Sequence, residues 1–191
     1  PVCARPGERR AEENHYFRMG PHRDWLRGEI ESGRLRVLPE IRKNEALGFL
    51  RKPLGDLCIS RPAARVSWGI PLPFDPSYVT YVWFDALLNY VSAPGYGRDD
   101  ASFARRWPAQ VHLIGKDILT PHAVYWPIML RAVGLPLPEA VFAHGWFLMD
   151  EAKMSKSTGN VADPAAMVDR HGRDPFRYYL MREMSVGGDA P

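Results

Sequence analysis

The chain has 191 residues, 46% hydrophobic and 25% charged, the make-up of a folded protein with one good core or a core plus a smaller satellite; a disordered tail is excluded. Its longest apolar runs, Val133 to Val141 and Val79 to Phe84, are broken by Pro, Gly or polar residues and fall short of a bilayer span, so no membrane partner is expected. A net charge of +3 admits a polyanionic partner without arguing for one, and two cysteines, Cys3 and Cys58, exclude a disulfide framework and suit a cytoplasmic location.

The first ten residues offer neither an initiator Met nor a cleavable apolar leader, so the chain reads as cut from something longer. Apolar residues at helical spacing predict helices over Asp24 to Ile30 and Asn44 to Leu50. Arg61-Pro62, Gly69-Ile70-Pro71-Leu72-Pro73 and Asp75-Pro76 then form a proline-punctuated connection, and a subdomain boundary is expected there. From Tyr78 onward, short apolar strands alternate with helices, the pattern of βαβ units in a parallel sheet. Three units are expected. Tyr78 to Trp83 is β-branched and aromatic, with Asp85 capping a helix from Ala86 to Val91. Val111 to Ile114 ends at Gly115, with Thr120 as N-cap, Pro121 opening the next helix and Gly134 closing it. Val141 to His144 ends at Gly145. Lys116 and Asp117 would then sit at the carboxyl end of a strand, where open α/β sheets bind ligands. Asp163-Pro164 and Asp174-Pro175 read as starts of two short helices separated by Gly172.

Lysine is scarce in an arginine-rich chain: Lys43, Lys52, Lys116, Lys153 and Lys156 are all there is. Lys153-Met154-Ser155-Lys156-Ser157-Thr158-Gly159-Asn160 places two ammonium groups three residues apart among hydroxyl residues and a glycine. Such a loop can fold around an anionic group and move away again. Cys58, in Leu57-Cys58-Ile59-Ser60-Arg61, reads as a buried small hydrophobe.

The five-residue string Lys153 to Ser157 is identical to the signature loop of class I aminoacyl-tRNA synthetases. Gly115-Lys116-Asp117-Ile118-Leu119, Tyr81-Val82-Trp83-Phe84-Asp85-Ala86, Phe142-Ala143-His144-Gly145 and Trp68-Gly69-Ile70-Pro71 resemble the methionyl-tRNA synthetase family within that class, and the resemblance runs from Glu13 to Glu183. It implies an α/β fold: the second half of a Rossmann-like parallel-sheet catalytic domain over residues 76–160. Part of a connective-peptide and zinc-knuckle insertion would precede it over 1–75, and the start of a helical stem-contact region would follow over 161–191. The implied partners are methionine, ATP with Mg2+, and the acceptor stem of tRNA(Met). Lys153 and Lys156 are the implied catalytic residues. With Ser155 and Ser157 they would hold the β- and γ-phosphates, charge stabilisation being most of the work in such transfers. Gly115, Gly145 and Phe147 match nucleotide-packing positions, Asp117 matches the ribose ligand, and Trp83, Tyr90 and His122 match positions lining the methionine pocket.

The chain departs from the family at Pro121, where many members carry an aromatic residue. Cys3 matches a zinc-knuckle ligand whose partners are missing, so zinc is expected only in the intact protein and no complete metal site here. The His-x-Gly-His motif and the anticodon-reading helices are also missing, so the fragment alone should be inactive. A Leu, Val or Ile enzyme of the same class and a non-catalytic synthetase-like RNA-binding module are the alternatives.

Overall fold

The computed structural model describes residues 11–149, 152–154, 159–184 and 186–190. Strand β1 (Tyr16–Phe17) and a 3-10 turn over Gly20–His22 lead into helix α1 (Arg23–Glu31). Leu26 and Ile30, one turn apart, are the residues α1 buries, while Asp24, Arg27 and Glu31 pair along its solvent side. Strand β2 (Arg36–Leu38) is followed by α2 (Glu40–Leu50), which buries Ala46 and Leu50 on the same spacing and starts a turn earlier than its apolar pattern indicates.

Two small antiparallel sheets come next. Strand β3 (Leu57–Cys58) pairs with β1, and β6 (Asp75–Thr80) lies between β4 (Ser60–Pro62) and β5 (Pro71–Leu72). Three expectations are corrected here. Tyr78 to Trp83 is not a strand of the parallel sheet: β6 stops at Thr80, Tyr81 stays extended, and α3 (Val82–Leu87) already contains Trp83. β-branched and aromatic residues favour a pleated, half-buried surface without dictating which strand they meet. Asp85 consequently lies inside α3 rather than capping it, and α4 (Asn89–Ser92) is a separate short helix. Nor is Cys58 a buried hydrophobe; it is half-buried, accepts from the Arg61 guanidinium at 3.1 Å and donates to the Ser60 carbonyl at 3.5 Å.

Helix α5 (Asp100–Arg106), which carries no strong sequence signal, is capped by Asp99 accepting from the Ser102 N–H at 2.9 Å. Strand β7 (His112–Gly115) leads through a 3-10 turn at Lys116–Ile118 and a π turn at Pro121–Tyr125 into α6 (Trp126–Ala132), so Thr120 is an ordinary helical residue rather than an N-cap. Strand β8 (Ala140–His144) completes a parallel sheet of order β2–β8–β7, in register Val37 to Val141 and Gly115 to His144. The third strand is therefore β2, from before the proline-rich connection. Leu26, Ile30, Val37 and Leu50 share one core with Ile114, Val124, Ile128 and Val141. The boundary expected near residue 75 does not separate two cores, because α1 and α2 need the sheet to bury their apolar stripes.

The hairpin β9 (Leu148–Met149) and β10 (Ala152–Lys153) follows. Helix α7 (Pro164–His171) opens as expected, with Asp163 accepting from the Ala165 N–H at 2.9 Å. Helix α8 (Arg173–Glu183) starts one residue before Asp174, whose charge therefore sits in the first turn, where the helix dipole favours an anion. Among the described residues no helix is long and apolar enough to cross a membrane.

Candidate active site at the carboxyl edge of the parallel sheet

Parallel strands turn their carboxyl ends to one side, and the chain turns after β7 and β8 bring Gly115, Lys116, Asp117, Gly145, Trp146 and Phe147 together there. The Trp146 indole N–H donates to Asp117 Oδ1 at 3.2 Å. The Lys116 ammonium lies 4.2 Å above the centre of the Trp146 ring and 2.7 Å from Asp189 Oδ2. Asp189 Oδ1 accepts the Trp146 backbone N–H at 2.8 Å, and these donors hold its carboxyl below the usual carboxylate range. Gly145 is glycine for a steric reason: a Cβ there would lie 1.8 Å from the Gly188 carbonyl oxygen. The Phe147 ring faces Tyr179 of α8 at 6.4 Å. Thus Gly115, Asp117, Gly145 and Phe147 are gathered at one edge, with Trp146 and Asp189 added. Sequence reasoning missed those two; Asp189 lies 73 residues from Lys116 and no local signal links them.

A second group lies under the turn after β7. The π turn buries His122, whose Nδ1 is 2.8 Å from the Ile118 carbonyl, an acceptor only, so Nδ1 carries the proton. Its Nε2 is then an acceptor, and the Tyr90 hydroxyl, 2.9 Å away, donates to it. Tyr90 also packs against His112, ring centres 4.2 Å apart, and against Trp126. The Trp126 indole can only donate, so His112 Nε2, 3.2 Å away, is its acceptor. Burial pushes the pKa of both histidines down, that of His112 to about 4, with His122 as an added cause for His112. The cluster is uncharged at neutral pH, and burial likewise raises the Tyr90 phenol. Trp83, half-buried on the first turn of α3, joins none of these ring pairs among the described residues; α3 and α4 break between it and Tyr90. Pro121, the family departure, opens the π turn that presents His122.

A separate cleft of about 470 Å³ is lined by Arg61, Arg65, Trp68, Ile70, Tyr81 and Asp85, with the Arg61 guanidinium over the Tyr81 ring. None of the expected methionine-site residues lines it. Lys153 extends β10 toward the lysine loop, but Ser155, Lys156 and Ser157 lie outside the described residues, as does Cys3. Among the described residues no group of three or more His, Cys, Asp or Glu could hold a metal ion, so no zinc site is built from them.

A parallel α/β sheet with glycine- and carboxylate-bearing turns gathered at its carboxyl edge is the arrangement in which open α/β sheets bind ligands. The family model of class I tRNA synthetases (M) matches residues 1–190, and the chain belongs to that family. Within it, the chain is 51% identical over 191 residues to a methionine–tRNA ligase of Clostridium acetobutylicum and 48% identical to that of Bacillus subtilis, covering 99% of this chain in both cases. It spans 29% and 28% of those relatives. The structure of a Mycobacterium tuberculosis methionyl-tRNA synthetase bound by methionyl-adenylate superposes with a TM-score of 0.86 at 42% identity, over 93% of this chain and 35% of that one.

Proposed function

We propose that the protein bearing this chain is a methionine–tRNA ligase, to which this segment contributes part of the catalytic domain and the first helices of a stem-contact region over 161–191. The observation that carries the reading is the convergence of Asp117, Gly115 and Phe147 at one sheet edge, from which β9 and β10 lead straight into Lys153-Met154-Ser155-Lys156-Ser157. In the reaction a methionine carboxylate oxygen attacks the α-phosphorus of ATP and the bond to the pyrophosphate oxygen breaks. A hydroxyl of the tRNA(Met) acceptor end then takes the methionyl group and AMP leaves.

Each residue has a role its chemistry suits. Asp117 accepts from the ribose hydroxyls, Phe147 offers a flat face to adenine, and Gly115 and Gly145 keep the turns low. Lys153, Ser155, Lys156 and Ser157 meet the departing pyrophosphate, whose growing charge the ammonium groups neutralise in concert with Mg2+. Lys116 is matched by Asp189, so the pyrophosphate charge is assigned to Lys153 and Lys156. Trp83, Tyr90 and His122 receive the methionine side chain. The fixed neutral state of His122 and its tilted aromatic neighbours suits a polarisable, uncharged thioether. ATP and tRNA are met in the cytoplasm, where we place the protein.

The test is pre-steady-state adenylate formation by the full-length protein. Lys156→Ala should slow it by about 10²- to 10³-fold, the scale for losing one transition-state donor. An unchanged rate would remove the lysine loop from the mechanism, and preferential activation of leucine would move the protein to a sister specificity.

A further inference from the structure

Tyr90 sits on α4, a helix of four residues set off from α3 by a break, and one turn of helix does not by itself fix where a ring points. Its direction comes from other elements. Three rings meet it: His112 of β7, centres 4.2 Å apart and tilted by 45°, His122 of the π turn at 5.6 Å, and Trp126 of α6 at 6.0 Å. His112 is the nearest of the three.

His112 is itself held from three directions. Its backbone lies in the parallel sheet opposite Val141, and its Nε2 accepts the Trp126 indole N–H at 3.2 Å. The Trp107 ring stands 6.1 Å away, anchored by its own indole N–H donating to the Pro136 carbonyl at 3.0 Å. A neutral imidazole suits this place for two separate reasons: it offers an acceptor to Trp126 and a flat face to Tyr90. Phenylalanine would supply only the face, and glutamine only the acceptor.

We infer that His112 is a positioning residue for the methionine pocket: packed against the Tyr90 ring, it keeps the Tyr90 hydroxyl aimed at His122 Nε2, 2.9 Å away. It acts through Tyr90 and not on the amino acid. With the hydroxyl so aimed, the His122 acceptor is filled and the two side chains stand in one arrangement before methionine enters. Without the ring behind it, Tyr90 has rotamers to lose on binding, and that cost falls on methionine affinity. The inference rests on the proposed methionine-binding role of Tyr90 and His122, and the test separates the two.

The experiment is ATP–pyrophosphate exchange by the full-length protein, with methionine and ATP varied separately and melting temperatures recorded for each variant. His112→Gln should raise the methionine KM about three- to tenfold, the scale of one lost aromatic pair, with kcat and the ATP KM within about twofold. In the Tyr90→Phe background it should cost less than about twofold more, because the hydroxyl it aims is gone. His112→Phe keeps a ring against Tyr90 but strands the Trp126 N–H. It should melt at least as early as His112→Gln, yet hold the methionine KM within about twofold of the unmodified protein. A merely structural role would instead move KM and melting temperature together. An unchanged methionine KM in His112→Gln, a rise in His112→Phe that matches the glutamine variant, or a loss that multiplies undiminished with that of Tyr90→Phe overturns the inference and leaves the proposed function standing. If His112→Gln does not fold, the KM of His112→Phe decides alone. A methionine KM unmoved by Tyr90→Phe refutes the pocket assignment itself, and the inference falls with it.

Discussion

His112 should make the stability of this domain depend on pH in a predictable window. The ring is 4% exposed, stacked obliquely on Tyr90, and bound through Nε2 to the Trp126 indole N–H. Burial disfavours the charged imidazolium and the neighbouring His122 adds to that, which is why the folded-state pKa falls from 6.5 to about 4. The unfolded imidazole binds its proton near 6.5, so between these values the unfolded state carries more protons than the folded one. The associated stability is complete above about pH 7 and is lost as pH falls toward 4. Between about pH 7.5 and 4.5 the loss is roughly 2–3 kcal/mol. His112→Gln removes the titration but keeps an oxygen that can accept from Trp126. Urea unfolding across that range should show the variant about 1 kcal/mol less stable at neutral pH, from lost ring contact, yet 2–3 kcal/mol less sensitive to acid. His122, also depressed, leaves some residual slope. Equal acid sensitivity in the two proteins would mean that His112 is not held neutral by its surroundings.

Gly145→Ala brings a methyl group to 1.8 Å from the Gly188 carbonyl, so either the backbone at Gly188 and Asp189 lifts or β8 shifts; the melting curve should report destabilisation of about 1–3 kcal/mol. Tyr90→Phe deletes the donor to His122 Nε2, and the methionine KM in the exchange assay should rise several-fold to about tenfold while that for ATP holds. Leu113, 70% exposed on the edge strand β7 beside exposed Val111, gives the isolated chain a sticky edge; Leu113→Lys should shift it from aggregate toward monomer on size exclusion.

What could be read ahead of the structure was whatever is decided within a turn or two of chain. Asp163 before Pro164 becomes the cap it promised because its acceptor and the Ala165 N–H lie two residues apart. The strands at His112 and Ala140, the helices around Leu26 and Leu50, and the stop at Gly134 follow from equally local patterns. Pairing is different in kind. Nothing in Arg36-Val37-Leu38 distinguishes three residues of parallel strand from a loop; only Val141 opposite Val37 does so. Tyr78 and Val79 announced a strand correctly and its sheet wrongly, because β-propensity measures a surface that fits, and a small antiparallel sheet with Ser60 and Pro71 fits it as well as a parallel one.

Gly145 carries the point into the candidate site. From sequence, a glycine after a β-strand makes room for a nucleotide; in the fold that room is taken by Gly188, a residue forty-three positions on whose approach no spacing rule announces. Family resemblance located the position, but the physical demand on it comes from the protein's own backbone. A bulkier residue at 145 should therefore damage folding whether or not ATP is present. If instead ATP binding fails while the melting temperature of the unliganded protein is unchanged, the demand comes from the nucleotide after all.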